Sequence, residues 1–394
     1  MSAPRVNLFG RTVIETHEAE ITRENVLDVL RASLIHHNMN RQDIEYLRNY
    51  YRGKQPILNR IKRVRPEINN RIVENHAMEI VDFKRGYLFG EPIQYVRRGE
   101  GDGVSEKITE LNGYMSIQDK ASKDHELAES FYVCGTGYRM VLPKENPTED
   151  ESPFEFDILD PRDTFVVYSN DFGRKPMMGV KYVRDEDGEK VYSIYTKDAY
   201  FEAYEDKILS ESINPLGDIP IIEYPANVSR LGAFEPVITI LDALNNIASN
   251  RMDGIEQFVQ SFMKFINCEI TEEEFLEFRE LGAIKIKGEP GNPADVALVS
   301  NELNQTQVQV SKADLYQMVL IVCGMPDRNV QTRAAGDTGQ AVMLRDGWSA
   351  AESRARDTEL MFKRSEKRFL KLVLKILRDL NRLDLRLTDI DIKF

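Results

Sequence analysis

The sequence predicts an α+β chain, mainly helical, on three observations. Apolar residues recur in steps of three and four along several long stretches. Between them, from Gly135 to about Tyr224, lie short segments rich in aromatic and β-branched residues, split by turn residues. The composition, 42% apolar and 30% charged, is that of a globular chain rather than a disordered one. With 394 residues, two or three domains fit.

The elements follow in order. Residues 22–51 read as a helix capped by Thr22, with an apolar stripe through Leu30, Leu34, Ile44 and Leu47. Gly53 and Pro56 stop it. Asn69 is expected to open a second helix through Ile72, Ile80 and Phe83, ended by Gly86 and Gly90-Glu91-Pro92. Ile93 to Val96 read as a strand, and residues 105–133 as two short helices broken at Gly113. Six strands are then expected, mostly antiparallel: Tyr138–Leu142, Phe154–Leu159, Thr164–Tyr168, Met178–Val183, Lys190–Tyr195 and Tyr200–Tyr204. Asp187-Gly188 marks a hairpin.

From residue 234 to 266, Val237, Leu241, Leu244, Ala248, Met252, Ile255, Val259, Phe262 and Ile266 form one apolar seam. The expectation is one continuous helix of about 45 Å, with Asn245, Asn246, Asn250, Asp253, Gln257 and Gln260 on its other face. A compact insert, 267–302, follows. In it, Thr271 and Glu274 fit a capping box, and Ala283–Lys287 and Asp295–Val299 read as strands. Residues 303–323 read as a helix stopped by Gly324-Met325-Pro326, and 327–338 as an exposed loop. A helix of about 65 Å is expected from about Gly339 to Leu383. Ile390 to Phe394 alternates like a strand, which suggests a longer parent chain or a missing strand partner.

Charge and cysteine content exclude several classes. A net charge of −13 argues against a protein that wraps duplex DNA by bulk positive charge. Acidic walls would not grip a phosphate backbone, so DNA passing through is allowed. Cys134, Cys268 and Cys323 are few and far apart, which reads as reduced thiols. No apolar run is long enough for a membrane span, and the first ten residues do not read as a secretory signal. A soluble cytoplasmic protein is the default.

Catalytic motifs do not emerge. Gly135-Thr136-Gly137 lacks the third glycine and the helix of a dinucleotide loop and reads as a turn. No phosphate-binding loop of the Gly-Lys-Ser/Thr type is present. His76 and Glu79, three apart, lack further metal ligands at matching spacing, and His36-His37 point about 100° apart on a helix. Asp185-Glu186-Asp187-Gly188-Glu189 resembles a calcium loop, but Val183 sits at the first ligand position, so a solvated turn is the reading. The expectation is no catalytic residue, no metal and no cofactor.

Two basic stretches remain. Arg52, Lys54, Arg60, Lys62, Arg63 and Arg65, beside Tyr50 and Tyr51, could contact nucleic acid or form a salt-bridging subunit interface. Lys363, Arg364, Lys367, Arg368, Lys371 and Lys375 read as a solvated or interface face of the last helix. Seams this long pack against other helices, often those of neighbouring subunits.

The run from Asn69 to Ile93, NNRIVENHAMEIVDFKRGYLFGEPI, resembles a signature of portal proteins of tailed bacteriophages, the siphophage-type group. The segments from Tyr50 to Ile57 and from Asp337 to Leu344 fit the same family. The resemblance implies a portal-like architecture: a wing from 1–233 and the helix 339–383, a stem from helices 234–266 and 303–326, a small α/β clip at 267–302 and a tunnel loop at 327–338. It also implies a ring, twelve subunits in the virion, at one capsid vertex. Double-stranded DNA would pass through it in packaging and ejection. Its partners would be terminase, the head–tail adaptor, and the major capsid and scaffolding proteins, with no membrane and assembly in the host cytoplasm.

The family also carries a C-terminal crown after the long helix. With residues 384–394 as its start, the crown is expected to be absent or cut away here. Within this frame the DNA-contacting residues of the tunnel loop are expected to be Arg328, Asn329, Gln331, Thr332 and Arg333. The clip, too small for a core of its own, is expected to meet the adaptor through Glu272, Glu273, Glu277, Lys285 and Lys287. Twelve copies at −13 each would carry roughly −156, a field that repels DNA from the walls. Two other classes stay open: a metal-dependent nucleic-acid-processing enzyme, which needs clustered carboxylates, and a helical scaffold or adaptor without a channel.

Overall fold

The computed structural model describes residues 10–99, 103–148, 150–259, 262–266, 271, 295–299, 305–327 and 347–394. The chain divides into two units. The first comprises Met1–Gln55, Asn75–Leu241 and Gln317–Phe394; the second comprises Pro56–Glu74 and Asp242–Tyr316.

The first unit begins with β1 (Ile14–Thr16) and α1 (Val26–Tyr51). Thr22 starts the first helical turn through its carbonyl, which accepts from the Val26 N–H at 3.0 Å. Then come α2 (His76–Phe89), β2 (Gln94–Arg97), α3 (Val104–Ile117) and α4 (Lys120–Cys134). The break between α3 and α4 is at Gln118-Asp119, not at Gly113. Asp119 takes a left-handed φ of 52°, while Gly113 sits inside α3. A helical glycine costs only about 1 kcal/mol, too little to end a helix whose neighbours are packed.

The β region runs β3 (Thr136–Pro143), β4 (Phe154–Leu159), β5 (Thr164–Ser169), β6 (Pro176–Arg184), β7 (Lys190–Tyr195), β8 (Ala199–Ala203), β9 (Ile208–Ile213) and β10 (Ile221–Pro225). One sheet has the order β1-β5-β6-β7-β8-β9, all antiparallel except the parallel β1–β5 pair; the other has the order β10-β3-β4. Strands β1, β9 and β10 go beyond the sequence expectation. β1 is three residues long, and β9 is mostly exposed and polar, so neither carries a periodicity signal.

β5 joins the two layers. Phe165 and Val167 face Val26, Val29, Leu30 and Leu34 of α1, while Val166 and Tyr168 face Tyr138, Met140, Ile219 and Ile221. Strand alternation sends neighbouring residues to opposite faces, and a strand covered on both reads as an unbroken apolar run.

The segment from 238 to 266 is not one helix. α5 (Ile238–Val259) is followed by β11 (Phe262–Ile266), which pairs antiparallel with β12 (Asp295–Val299). Phe262 and Ile266 fit a helical step equally well as short apolar runs do a strand, and ladder pairing decides. The strand expected at Ala283–Lys287 and the short acidic helix after Thr271 lie outside the described residues. α6 (Gln305–Cys323) follows, and α7 (Trp348–Asp379) is the last helix; its proposed start at Gly339 lies outside the described residues. β13 (Ile390–Lys393) has its partner in this chain: it pairs with β2, and Phe394 packs on Phe89 and Phe362.

Candidate functional site

In the second unit, residues 69–74 are not helical; Asn75 caps α2 in a left-handed conformation (φ 45°), and α2 begins only at His76. The reason lies in α5. Asn245 Oδ1 accepts the Glu74 N–H (2.9 Å), Ser249 Oγ the Ile72 N–H (3.0 Å), and Asp253 Oδ1 the Asn70 N–H (2.7 Å). Acceptors four apart on a helix rise about 6 Å per step; alternate amides of an extended chain advance about 6.6 Å. The two repeats match over three hydrogen bonds, so side chains of α5 supply what a strand neighbour would. Asp253 is also the counter-charge for Lys62 (2.9 Å) and Arg60 (3.1 Å). These contacts outweigh burial and hold its carboxyl below the usual carboxylate range. Of the first basic stretch, Arg60 and Lys62 are thus spent inside the chain.

The clasp divides α5. Leu241 and Leu244 of the apolar seam are buried and Asn246 and Asn250 of the polar face are exposed, as expected, but Asn245 and Asp253 of that face are buried together with Ser249, while Met252 and Ile255 of the seam stand 41% and 45% exposed. Within the same unit, Ile61 and Val64 are 84% and 77% exposed, and Val310 of α6 55%. Arg60 and Lys62 brace the loop that carries Ile61 and Val64, so its apolar tips are held out. Burying such side chains is worth about 1.5–3 kcal/mol each, which favours a covering partner.

In the first unit, α7 brings Glu366 onto its apolar stripe, four residues after Phe362 and three before Phe369. Glu366 is fully buried and receives hydrogen bonds from Tyr95 (2.6 Å), Tyr224 (2.7 Å) and Arg139 (3.0 Å), with Lys120 at 2.9 Å. Asp124 pairs with both Lys120 and Arg139, so two carboxylates balance two cations. Burial opposes ionisation of Glu366, yet Lys120 and Arg139 override it and hold the carboxyl well below its ordinary range. The node ties α4, β2, β3, β10 and α7 together. It was missed in the sequence, although an acid placed on an apolar stripe was a usable signal.

The sequence-predicted sites lie elsewhere. Arg328, Asn329, Gln331, Thr332 and Arg333, and likewise Glu272, Glu273, Glu277, Lys285 and Lys287, fall outside the described residues, so none of these residues is given a place here. His76 Nδ1 lies 2.8 Å from Glu79 Oε2, an ordinary polar pair. His37 is buried, stacked on Phe165 with Nε2 3.1 Å from the Arg162 carbonyl. Asp185 Oδ1 accepts the Asp187 and Glu189 N–H groups, the solvated turn expected. Cys134 and Cys323 are free and buried, and burial pushes their thiols up to about 12 and about 11. Among the described residues no cluster of three metal-ligating side chains occurs, and no helix is long and apolar enough to cross a membrane.

The second unit is thus braced internally and holds apolar side chains out to solvent. The particular family is given by comparison: the profile described as "Phage portal protein, SPP1 Gp6-like" matches residues 31–394, and the chain belongs to that family of tailed-phage portal proteins. No curated protein sequence matches the chain. Among solved structures, one similar chain comes from the neck of an empty GTA particle computed with C6 symmetry, at 11% identity, covering 82% of this chain and 80% of that one, with a TM-score of 0.49. Another comes from the virion of a native gene transfer agent (GTA) particle, at 12% identity, 89% and 83% coverage and a TM-score of 0.49.

Proposed function

We propose that copies of this chain close into a ring, twelve in the virion, at one capsid vertex, and that double-stranded DNA passes through its channel in packaging and ejection. The single observation that carries this reading beyond family membership lies along α5 from Asn245 onward. There Asn245, Ser249 and Asp253 are taken up by residues 70–74, and the apolar Met252 and Ile255 stand exposed, left for another copy. The ring docks terminase, which supplies the ATPase, and the head–tail adaptor, and it contacts major capsid and scaffolding proteins. The chain itself is structural, without a catalytic residue or cofactor.

In this reading the first unit contributes to the wing, the helices α5 and α6 to the stem, 267–302 to the clip and 327–338 to the tunnel loop. Arg328 and Arg333 are the DNA-facing cations, with Asn329, Gln331 and Thr332 as neutral contacts. Few fixed cations suit a channel, because each phosphate contact deepens binding and slows sliding. Glu272, Glu273, Glu277, Lys285 and Lys287 form the adaptor surface, completed by neighbouring subunits. End-view class averages by electron microscopy test the ring: annuli of about twelve or thirteen subunits are expected. Monomers at every concentration would overturn it. For the tunnel loop, Arg333→Ala is expected to impair DNA packaging or retention, and unchanged values of both would remove that assignment.

A further inference from the structure

The sheet of the first unit carries opposite charge at its two ends. The turns after β5, after β7 and after β9 lie at one end, and the β6–β7 and β8–β9 turns at the other, because β5 to β9 run antiparallel. β6 has nine residues, so the ends lie about 30 Å apart.

At the first end a groove of about 380 Å³ opens between the sheet and α7, with Lys175, Lys197, Arg368 and Lys371 on its rim and Ile219 and Leu372 on its floor. Arg364 and Lys367 stand exposed beside it on α7. Among the described residues, Lys175, Lys197 and Arg368 have no carboxylate within 4.0 Å, while Lys371 is paired with Asp218 at 2.8 Å. Asp171 and Asp198 lie in the flanking turns, Arg174 is paired with Glu15 at 2.9 Å, and Glu18 and Glu20 follow β1 at this end; around the groove itself six cations stand against the single acid Asp218 of its lining. Phe172, at the tip of the β5–β6 turn, is wholly exposed.

The second end carries Asp185, Glu186, Asp187, Glu189, Glu205 and Asp206. The cations of these two turns and their flanks are Arg184, Lys190 and Lys207, and Arg162, just before β5 at this end, is paired with Asp160 at 2.7 Å. Arg184 donates to the Gly188 carbonyl (2.8 Å) and Lys190 lies 4.9 Å over the Tyr182 ring, so both are folded back on their own hairpin. Asp185 fixes the tip by accepting two backbone amides, which pre-organises the acidic loop. Val183 beside it is 58% exposed.

Resting on the ring reading, we propose that the acidic hairpin end of one copy docks into the cationic groove of the next copy. A ring needs such a heterologous contact, in which two different patches of the same chain match each other. Single-stranded nucleic acid fits the groove less well, because its floor is aliphatic and offers bases no stacking platform. A rim of fixed charge meeting a fixed tip also sets the register between copies.

The test is a charge exchange on the full chain, read by sedimentation velocity at low and high salt. K197E/R368E reverses the groove and E186K/D187K reverses the tip; all four positions are at the surface or its edge, and unchanged thermal melts check folding. Each double variant is expected to lower the assembly constant at least about tenfold. An equimolar mixture is expected to regain assembly, because every contact in an alternating ring is then either native or doubly reversed. Wild-type-like assembly of either variant would overturn the proposal and leave the ring reading standing. Loss without recovery on mixing would overturn it too, and groove-dependent binding of a DNA oligonucleotide alongside that result would assign the groove to nucleic acid. A wild-type chain that stays monomeric would remove both readings.

Discussion

At the scale of single residues, the buried ionisable groups set testable costs. His37 is held down to about 4 from 6.5, first by burial and then by Lys190 and Arg41, against the hydrogen bond to Arg162. The unfolded chain therefore takes up the proton first. Stability from this residue is complete above pH 6.5 and falls as pH drops to about 4, by about 3 kcal/mol. Denaturant midpoints of wild type and His37→Gln should diverge across that window, with the variant losing less on acidification; parallel curves would refute the burial argument. Glu366→Ala leaves Arg139 and Lys120 buried without their balance and should cost about 3–5 kcal/mol in urea unfolding. Gly135 shows how a motif can mislead. It stops α4 at φ 79°, and a Cβ there would meet the Arg230 carbonyl oxygen at 1.9 Å. The glycine serves close packing, so Gly135→Ala should lower the melting temperature.

At the scale of elements, the clasp between α5 and residues 70–74 makes a patterned prediction. The amides of Asn70, Ile72 and Glu74 donate to side chains, so they should exchange hydrogen more slowly than those of Arg71 and Val73. Asp253→Ala should abolish protection at Asn70 and destabilise by about 2 kcal/mol, measured by chemical unfolding with amide exchange. Uniform exchange across the segment would refute the clasp. The periodicity of α1, α2, α5, α6 and α7 was legible in the sequence because apolar residues recur at helical spacing, although Met252 and Ile255 of α5 and Met318 and Val322 of α6 stand exposed in the chain. The start of α2 was misplaced because Ile72 and Val73 continue the helical spacing. Only the acceptors on α5, about 180 positions further on, make an extended chain the better state.

At the scale of the whole molecule, the proposed ring assigns the exposed apolar residues of the second unit to assembly. Met252→Glu together with Ile255→Glu should leave the thermal melt of the isolated chain within a degree or two, since neither side chain is buried in it, yet should shift sedimentation toward the monomer. Unchanged assembly would place the subunit contact elsewhere. The sequence led to the expectation that a seam this long packs against neighbouring subunits, but not which of its residues the chain itself covers: Leu241 and Leu244 are buried, and Met252 and Ile255 stay exposed. The expected tunnel and clip residues came from the family resemblance, not from residue chemistry, because a few arginines or glutamates in a loop carry no pattern of their own.

The sequence by itself determined the helical stripes, most strands, the turn at Asp185–Gly188 and the family, because each is written in local spacing or in contiguous residues. Tertiary structure alone decided which side of α5 is buried, which strands are neighbours, that Ile390–Lys393 pairs with Gln94–Arg97, and that Glu366, Arg139, Asp124 and Lys120 neutralise one another. The physical reason is common to all of these. Each depends on partners far apart in the chain, and hydrogen-bond satisfaction and charge balance are settled only when those partners meet.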